Sequence, residues 1–180
     1  MRNKSFSIKG IVLKRVNVGE TDRIVNLLTQ EFGKMSCVAK GVRKIKSSKR
    51  AFLEPGNVIN AFMIETKSLP IMIQATLIDD CSKMNQTLGS FRQLSQMLEI
   101  YEKLFVEQEL EEEIFAKALN LRKKISSSMA SSNFIKNTLT EIITDLGFQD
   151  PKESKYLSIS DYISALSDKK MKSYDYLKVR

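Results

Sequence analysis

The sequence predicts an α+β protein: a five-stranded OB-fold barrel over residues 1–80, then a helical domain over 81–180. Three observations predict it. Five short segments before Asp80 read as strands, the apolar period changes from two to three-and-four near Cys81, and the positive charge is concentrated in the first half. A chain of 180 residues suits one large domain or two small ones with a real core.

Ser7–Val18 is rich in β-branched residues, and Arg23–Thr29 follows it after the turn signal Gly19-Glu20-Thr21-Asp22. Gly33–Gly41 alternates, with Met35, Cys37 and Ala39 on one face and Lys34, Ser36 and Lys40 on the other. Val58–Glu65 and Ile71–Asp79 complete the set, the latter with Ile71, Ile73, Ala75 and Leu77 sharing a face. Five strands in so short a stretch suggest a small closed Greek-key barrel. Beyond Cys81, Phe91, Leu94, Leu98, Tyr101 and Phe105 fall on one face of a helix. Glu111–Ile125 forms a second, with an acidic start and the basic end Arg122-Lys123-Lys124 that suit the helix dipole. After a serine-rich linker, Phe134–Leu146 forms a third, with Phe134, Ile135, Leu139, Ile142, Ile143 and Leu146 buried. Gly147 is placed to end it. A short fourth helix starts at Ser158 or Ser160, and the tail Lys169–Arg180 reads as mobile.

Composition excludes whole classes of chemistry. Without histidine there is no Ser-His-Asp or Cys-His arrangement and no His-based zinc site. Cys37 and Cys81 alone make neither a disulfide framework nor a zinc cluster, so no metal and no cofactor is expected. No apolar run approaches a membrane span, and Met1–Lys9 lacks a secretory signal, so a cytoplasmic location without membrane association is expected. Binding is favoured over catalysis, and no catalytic residue is assigned.

The formal net charge is +8, and residues 1–80 hold 14 Lys/Arg against 7 Asp/Glu. Charge concentrated in this way points to a polyanionic partner. The strongest local feature is KGVRKIKSSKR, which carries Lys40, Arg43, Lys44, Lys46, Lys49 and Arg50 with no acid between them. Clustered cations bind nucleic-acid backbone by releasing condensed counterions, whereas an isolated basic run is often only a solvated loop. Its place beside a barrel whose groove can hold single strands favours the first reading. Phe52 and Phe32 are candidate base-stacking rings or barrel core, and Phe62, in mid-strand, reads as core. No phosphate-cradling glycine motif occurs. Asp79-Asp80 reads as a strand end and Glu109–Glu113 as a helix start.

The stretch GIVLKRVNVGETDRIVNLLTQEFGKMSCVAKGVRK, Gly10–Lys44, resembles the N-terminal domain of the bacterial RecO family. The likeness rests on Leu13-Lys14, Gly19-Glu20-x-Asp22-Arg23, Thr29-x-Glu31-x-Gly33-Lys34 and Ala39-Lys40-Gly41-x-Arg43, in order and spacing. Leu53-Glu54-Pro55-Gly56 also fits, and Phe134–Pro151 resembles the family's helical part more loosely. Many members carry a four-cysteine zinc module after the segment matching Gly147–Pro151; this chain lacks those cysteines and reads as a short form.

The resemblance implies a recombination mediator of DNA repair that binds single- and double-stranded DNA and anneals complementary strands. It also implies RecR as a partner, RecA indirectly, and contact with the acidic, hydrophobic C-terminal tail of single-strand-binding protein through the helical domain. Arg23 and Lys34, which stand in its motifs, join Lys40, Arg43, Lys44, Lys46, Lys49, Arg50 and Phe52 as the candidate DNA-binding set. Arg92, Lys103, Arg122 and Lys123 are candidates for pairing with the tail peptide's acids. A generic OB-fold RNA binder linked to translation is the alternative, and a carboxylate–metal nuclease the more remote one.

Overall fold

The structure is a computed structural model that describes residues 4–44, 47, 49–81 and 87–173, with the Lys49 side chain left aside. It contains β1 (Ser5–Val18), β2 (Asp22–Thr29), β3 (Gly33–Ala39), α1 (Lys49–Phe52), β4 (Val58–Ile64) and β5 (Ile71–Asp79). These are followed by α2 (Leu88–Leu104), α3 (Glu112–Ser126), α4 (Ser132–Asp145) and α5 (Ile159–Leu166). The chain divides into two compact units, residues 1–81 with 105–110, and residues 82–104 with 111–180. No helix among the described residues is long and apolar enough to cross a membrane.

In the first unit the strands close as β1-β2-β3-β5-β4, with β4 returning to β1. All pairings are antiparallel except β3 with β5, where Val38 meets Ile71. This is the OB-type barrel that the strand count predicts. Its interior is filled by Ile8, Val12, Val25, Leu27, Met35, Cys37, Ile59, Met63 and Met72, among others. Alternation on β3 is strict, with Gly33, Met35, Cys37 and Ala39 buried. Burial pushes the Cys37 thiol up to about 12.

Strand β5 departs from the expected alternation. Met63 pairs with Met72 and Phe62 with Gln74, and further along Ile59 pairs with Leu77 and Val58 with Asp79. Ile73 and Ile78 are therefore extra residues at bulges, and each reverses the side on which its neighbours point. Ile73, expected to share a face with Ile71, Ala75 and Leu77, is 46% exposed, while Met72 and Ala75 turn inward. Phe62 is likewise corrected: Ala61 and Met63 fill the core, which turns the ring between them outward.

Phe105–Leu110 was expected to begin as the end of a helix, but α2 stops at Leu104 and the segment packs with the barrel. The Lys34 N–H donates to Val106 O at 2.9 Å and the Leu110 N–H to Gln30 O at 2.8 Å. Gly33 permits this approach with a φ of +59. A Cβ there would collide with Gln108 O.

In the second unit α2 buries Leu94, Met97, Leu98, Ile100, Tyr101 and Leu104, while Phe91, expected on that face, is exposed. The α3 core is Ile114, Phe115, Ala118, Leu121 and Ile125. Ser131 caps α4 by accepting the Phe134 N–H, and Leu139, Ile142 and Ile143 form its buried stripe. Phe134, Ile135 and Leu146 are only partly buried. Gly147 ends this helix as expected, at φ +84, with the Phe148 N–H returning to Ile143 O. Ser158 caps α5.

The tail expected to be mobile is held as far as Ser173. The Glu99 carboxylate accepts the N–H groups of Lys172 and Ser173, and Met171 is buried. Residues 174–180 lie outside the described part.

Candidate nucleic-acid interface

One end of the barrel gathers the cations. Arg23 stands at the start of β2, opposite Asn17 on β1 and Ala39 on β3. Arg15, opposite Val25, lies two residues farther along the same face of β1. The chain leaves β3 at Ala39, so Lys40 and the loop after it start beside this cluster.

The loop is fastened where it begins. Asp22 Oδ1 accepts the Gly41 N–H at 2.8 Å and the Thr21 hydroxyl at 2.9 Å. These two bonds are the main reason the carboxyl is held below its ordinary value, with Lys40 and Lys44 adding to the effect. Arg43 donates its N–H to Thr21 O and Nη1 to Gly19 O, both at 2.9 Å. Val42 is fully buried between these anchors in sequence. Lys40 and Lys44 are exposed, and so is Arg50 on α1.

Arg23 is 7% exposed. Its Nε donates to Asn17 Oδ1 at 3.1 Å, and Nη1 is enclosed without a hydrogen-bond partner. Burial lowers its pKa, and the nearby charges of Arg15, Arg50 and Arg43 lower it further, with Glu54 opposing them. Arginine stays charged despite such shifts, so four guanidiniums share a small region. Arg15 is ion-paired with Glu54.

The segment that supplies Glu54 is itself well anchored. The Asn57 amide donates to Ala51 O and Phe52 O at 3.2 Å each, satisfying carbonyls at the end of α1. The Gly56 N–H donates to Val12 O and the Val12 N–H to Asn57 O, both at 2.8 Å.

Arg23, Lys40, Arg43, Lys44 and Arg50 thus come together, joined by Arg15, which inspection of the basic run passes over. Its signal is the strand period: Arg15 and Asn17 are two apart, so they share a face. Lys46 lies outside the described residues, and of Lys49 only the backbone is described. Lys34 is not in the cluster: it pairs with Leu28, five residues before Ala39, or about 17 Å along the strand. Phe32 is also at that far end, its ring 5.1 Å from Phe6. Phe52 packs against the barrel core. Phe62 instead lines an outer groove of about 430 Å³ with Lys9, Asn60, Gln74 and Thr76.

The four cations expected to meet a peptide are placed unequally. Arg122 is fully buried, so it does not present a charge to a partner. Lys103 donates to Lys169 O at 2.7 Å and to Lys170 O and Ser167 Oγ at 3.3 Å, which holds the C-terminal segment. Arg92 keeps an enclosed Nε without a hydrogen-bond partner, and Lys123 is exposed. Among the described residues, no group of three or more Cys, Asp or Glu is placed to hold a metal ion.

Comparison with known proteins bears on the same end of the chain. The family model described as "Recombination protein O N terminal" matches residues 1–80. A curated protein named DNA repair protein RecO from Heliobacterium modesticaldum is 33% identical over 99 residues, covering 55% of this chain and 36% of the relative. Its namesake from Bifidobacterium longum is 41% identical over 70 residues, covering 39% of this chain and 29% of the relative. That from Thermoanaerobacter sp. is 32% identical over 107 residues, covering 59% and 43%. Each match spans less than half of the relative's own length.

Proposed function

The chain belongs to the RecO family through residues 1–80, and on that premise we propose that it is a non-enzymatic DNA-binding protein of repair and recombination. It binds single- and double-stranded DNA at the cationic end of the barrel, anneals complementary strands, and helps RecA onto DNA coated with single-strand-binding protein. The observation that carries this reading is the convergence of Arg15, Arg23, Arg43 and Arg50 beside the exposed Lys40 and Lys44. Such a cluster neutralises phosphates without reading bases, which suits strands of any sequence. Annealing follows from the same property, because two strands must lose their mutual repulsion before they meet.

Contacts with RecR and with the tail of single-strand-binding protein belong to the same proposal and rest on the family likeness. Of the cations first considered for the tail, Arg92 and Lys123 remain candidates in the helical unit.

The test is annealing of complementary strands of mixed sequence, bare and coated with single-strand-binding protein, with equal-length RNA as the control. Acceleration on DNA supports the proposal. Equal or tighter binding to RNA without annealing favours a generic RNA-binding barrel, and strand cleavage with magnesium or manganese would replace both readings by a nuclease.

A further inference from the structure

Besides Asp22, which ties down the loop, the cationic end contains the carboxylate of Glu54. Arg23 uses Nε on Asn17 and leaves Nη1 enclosed and unpartnered. A buried charged donor bears its full desolvation cost when nothing accepts from it. Arg15, on the adjacent strand and the same face, is paired with Glu54. Of the four charges that act most on Arg23, three are arginines and Glu54 is the carboxylate.

We propose that Arg15 and Arg23 form a seat for one backbone phosphate, and that the Glu54 carboxylate occupies this seat when no nucleic acid is bound. The inference rests on the DNA-binding reading above and adds a control to it. A carboxylate and a phosphodiester both offer a pair of oxygens to a guanidinium fork, so one can replace the other. Binding is then an exchange: Glu54 swings into solvent, Arg15 transfers to the phosphate, and the orphaned Nη1 of Arg23 gains an acceptor. Glu54 is half-exposed and follows a four-residue helix held by Asn57, so its side chain can leave while the backbone stays. Glu54 thereby sets a threshold that a lone weak anion does not cross and a polyanion does.

The experiment uses the full chain and a labelled single-stranded oligonucleotide of mixed sequence, with affinity measured across a salt series. Glu54→Gln is expected to bind several-fold tighter at fixed salt. Its slope of log affinity against log salt should stay close to that of the wild type, because the same phosphate contacts form in both complexes and only the release of Glu54 is removed. Adding Arg15→Ala should abolish the gain. Glu54→Asp keeps the charge on a shorter arm that holds Arg15 less well, and it should show part of the same gain if Gln perturbs folding. A folded Glu54→Gln protein with unchanged or weaker binding overturns the inference, as does a gain that survives the loss of Arg15. In either case wild-type binding leaves the DNA-binding reading standing, whereas a wild-type chain that ignores DNA removes both.

Discussion

Asp22 Oδ1 accepts the Gly41 N–H at 2.8 Å, across 19 positions of sequence, and so ties the β1–β2 turn to the base of the cationic loop. Because this N–H and the Thr21 hydroxyl favour the ionised form, the folded carboxyl titrates below its ordinary 3.8. A depressed carboxyl contributes stability that is complete above the unfolded value and lost as pH falls through the folded one. The Gly41 amide is therefore expected to be protected from hydrogen exchange at neutral pH and to lose protection below pH 3.8. Asp22→Ala should remove that protection at every pH. A Gly41 amide equally protected in the variant would show that the loop is held by other means.

Neutralising Lys40, Arg43 and Lys44 together should weaken DNA binding almost equally for unrelated sequences. The salt slope on single strands should fall by up to about 2, at about 0.7 per contact. Thermal unfolding should move little for the exposed Lys40 and Lys44, at no more than about 0.5 kcal/mol each, and the loss of the Arg43 bond to Gly19 O should add about 1 kcal/mol.

Phe52 and Phe62 should respond unequally to truncation. Phe52 packs against the barrel core, so Phe52→Ala should cost about 2–3 kcal/mol in denaturant unfolding. Phe62 is 39% exposed on the outer face, and Phe62→Ala should change stability by less than about 1 kcal/mol.

Two glycines with positive φ should respond unequally to alanine. Gly19 has nothing within 4 Å of a new Cβ, so Gly19→Ala carries only the left-handed backbone cost of about 1–2 kcal/mol. Gly33→Ala adds a collision with Gln108 O and Val106 O, for a further loss of about 1–3 kcal/mol. Equal midpoints for the two variants would mean that the segment 105–110 does not lie against β3.

Cys37 is buried and its thiol is pushed up to about 12, so the thiolate is scarce at neutral pH. Alkylation of this residue should keep pace with unfolding in denaturant, and rapid labelling of the native protein would contradict its burial.

Local pattern makes much of the fold legible. Met35, Cys37 and Ala39 read as an inward face because side chains alternate along any strand, and the helices after Cys81 read from steps of three and four. Gly147 and Ser158 act as helix stop and start through bonds to residues within five positions. The concentration of charge in the first half, and the ordered motifs between Gly10 and Lys44, likewise need only the sequence.

Tertiary structure decided what depends on pairing across long separations. Bulges at Ile73 and Ile78 arise from register with β4, so no period within β5 announces that Ile73 faces solvent. Phe105 continues the helical spacing of α2, yet Lys34 and Gln30 offer backbone partners, at a close approach that Gly33 permits, and these draw 105–110 back to the barrel. Arg122 stands in a basic run that composition marks as exposed, and packing buries it. At the candidate site, the run from Lys40 to Arg50 is visible in the sequence, but its junction with Arg15, Arg23 and Glu54 is not. Those three come from β1, β2 and the segment before β4, and only barrel closure brings their charges within reach of one another. A residue's period is set by its neighbours in sequence, whereas its side of the sheet and its ionic partners are set by strands that meet only when the chain folds.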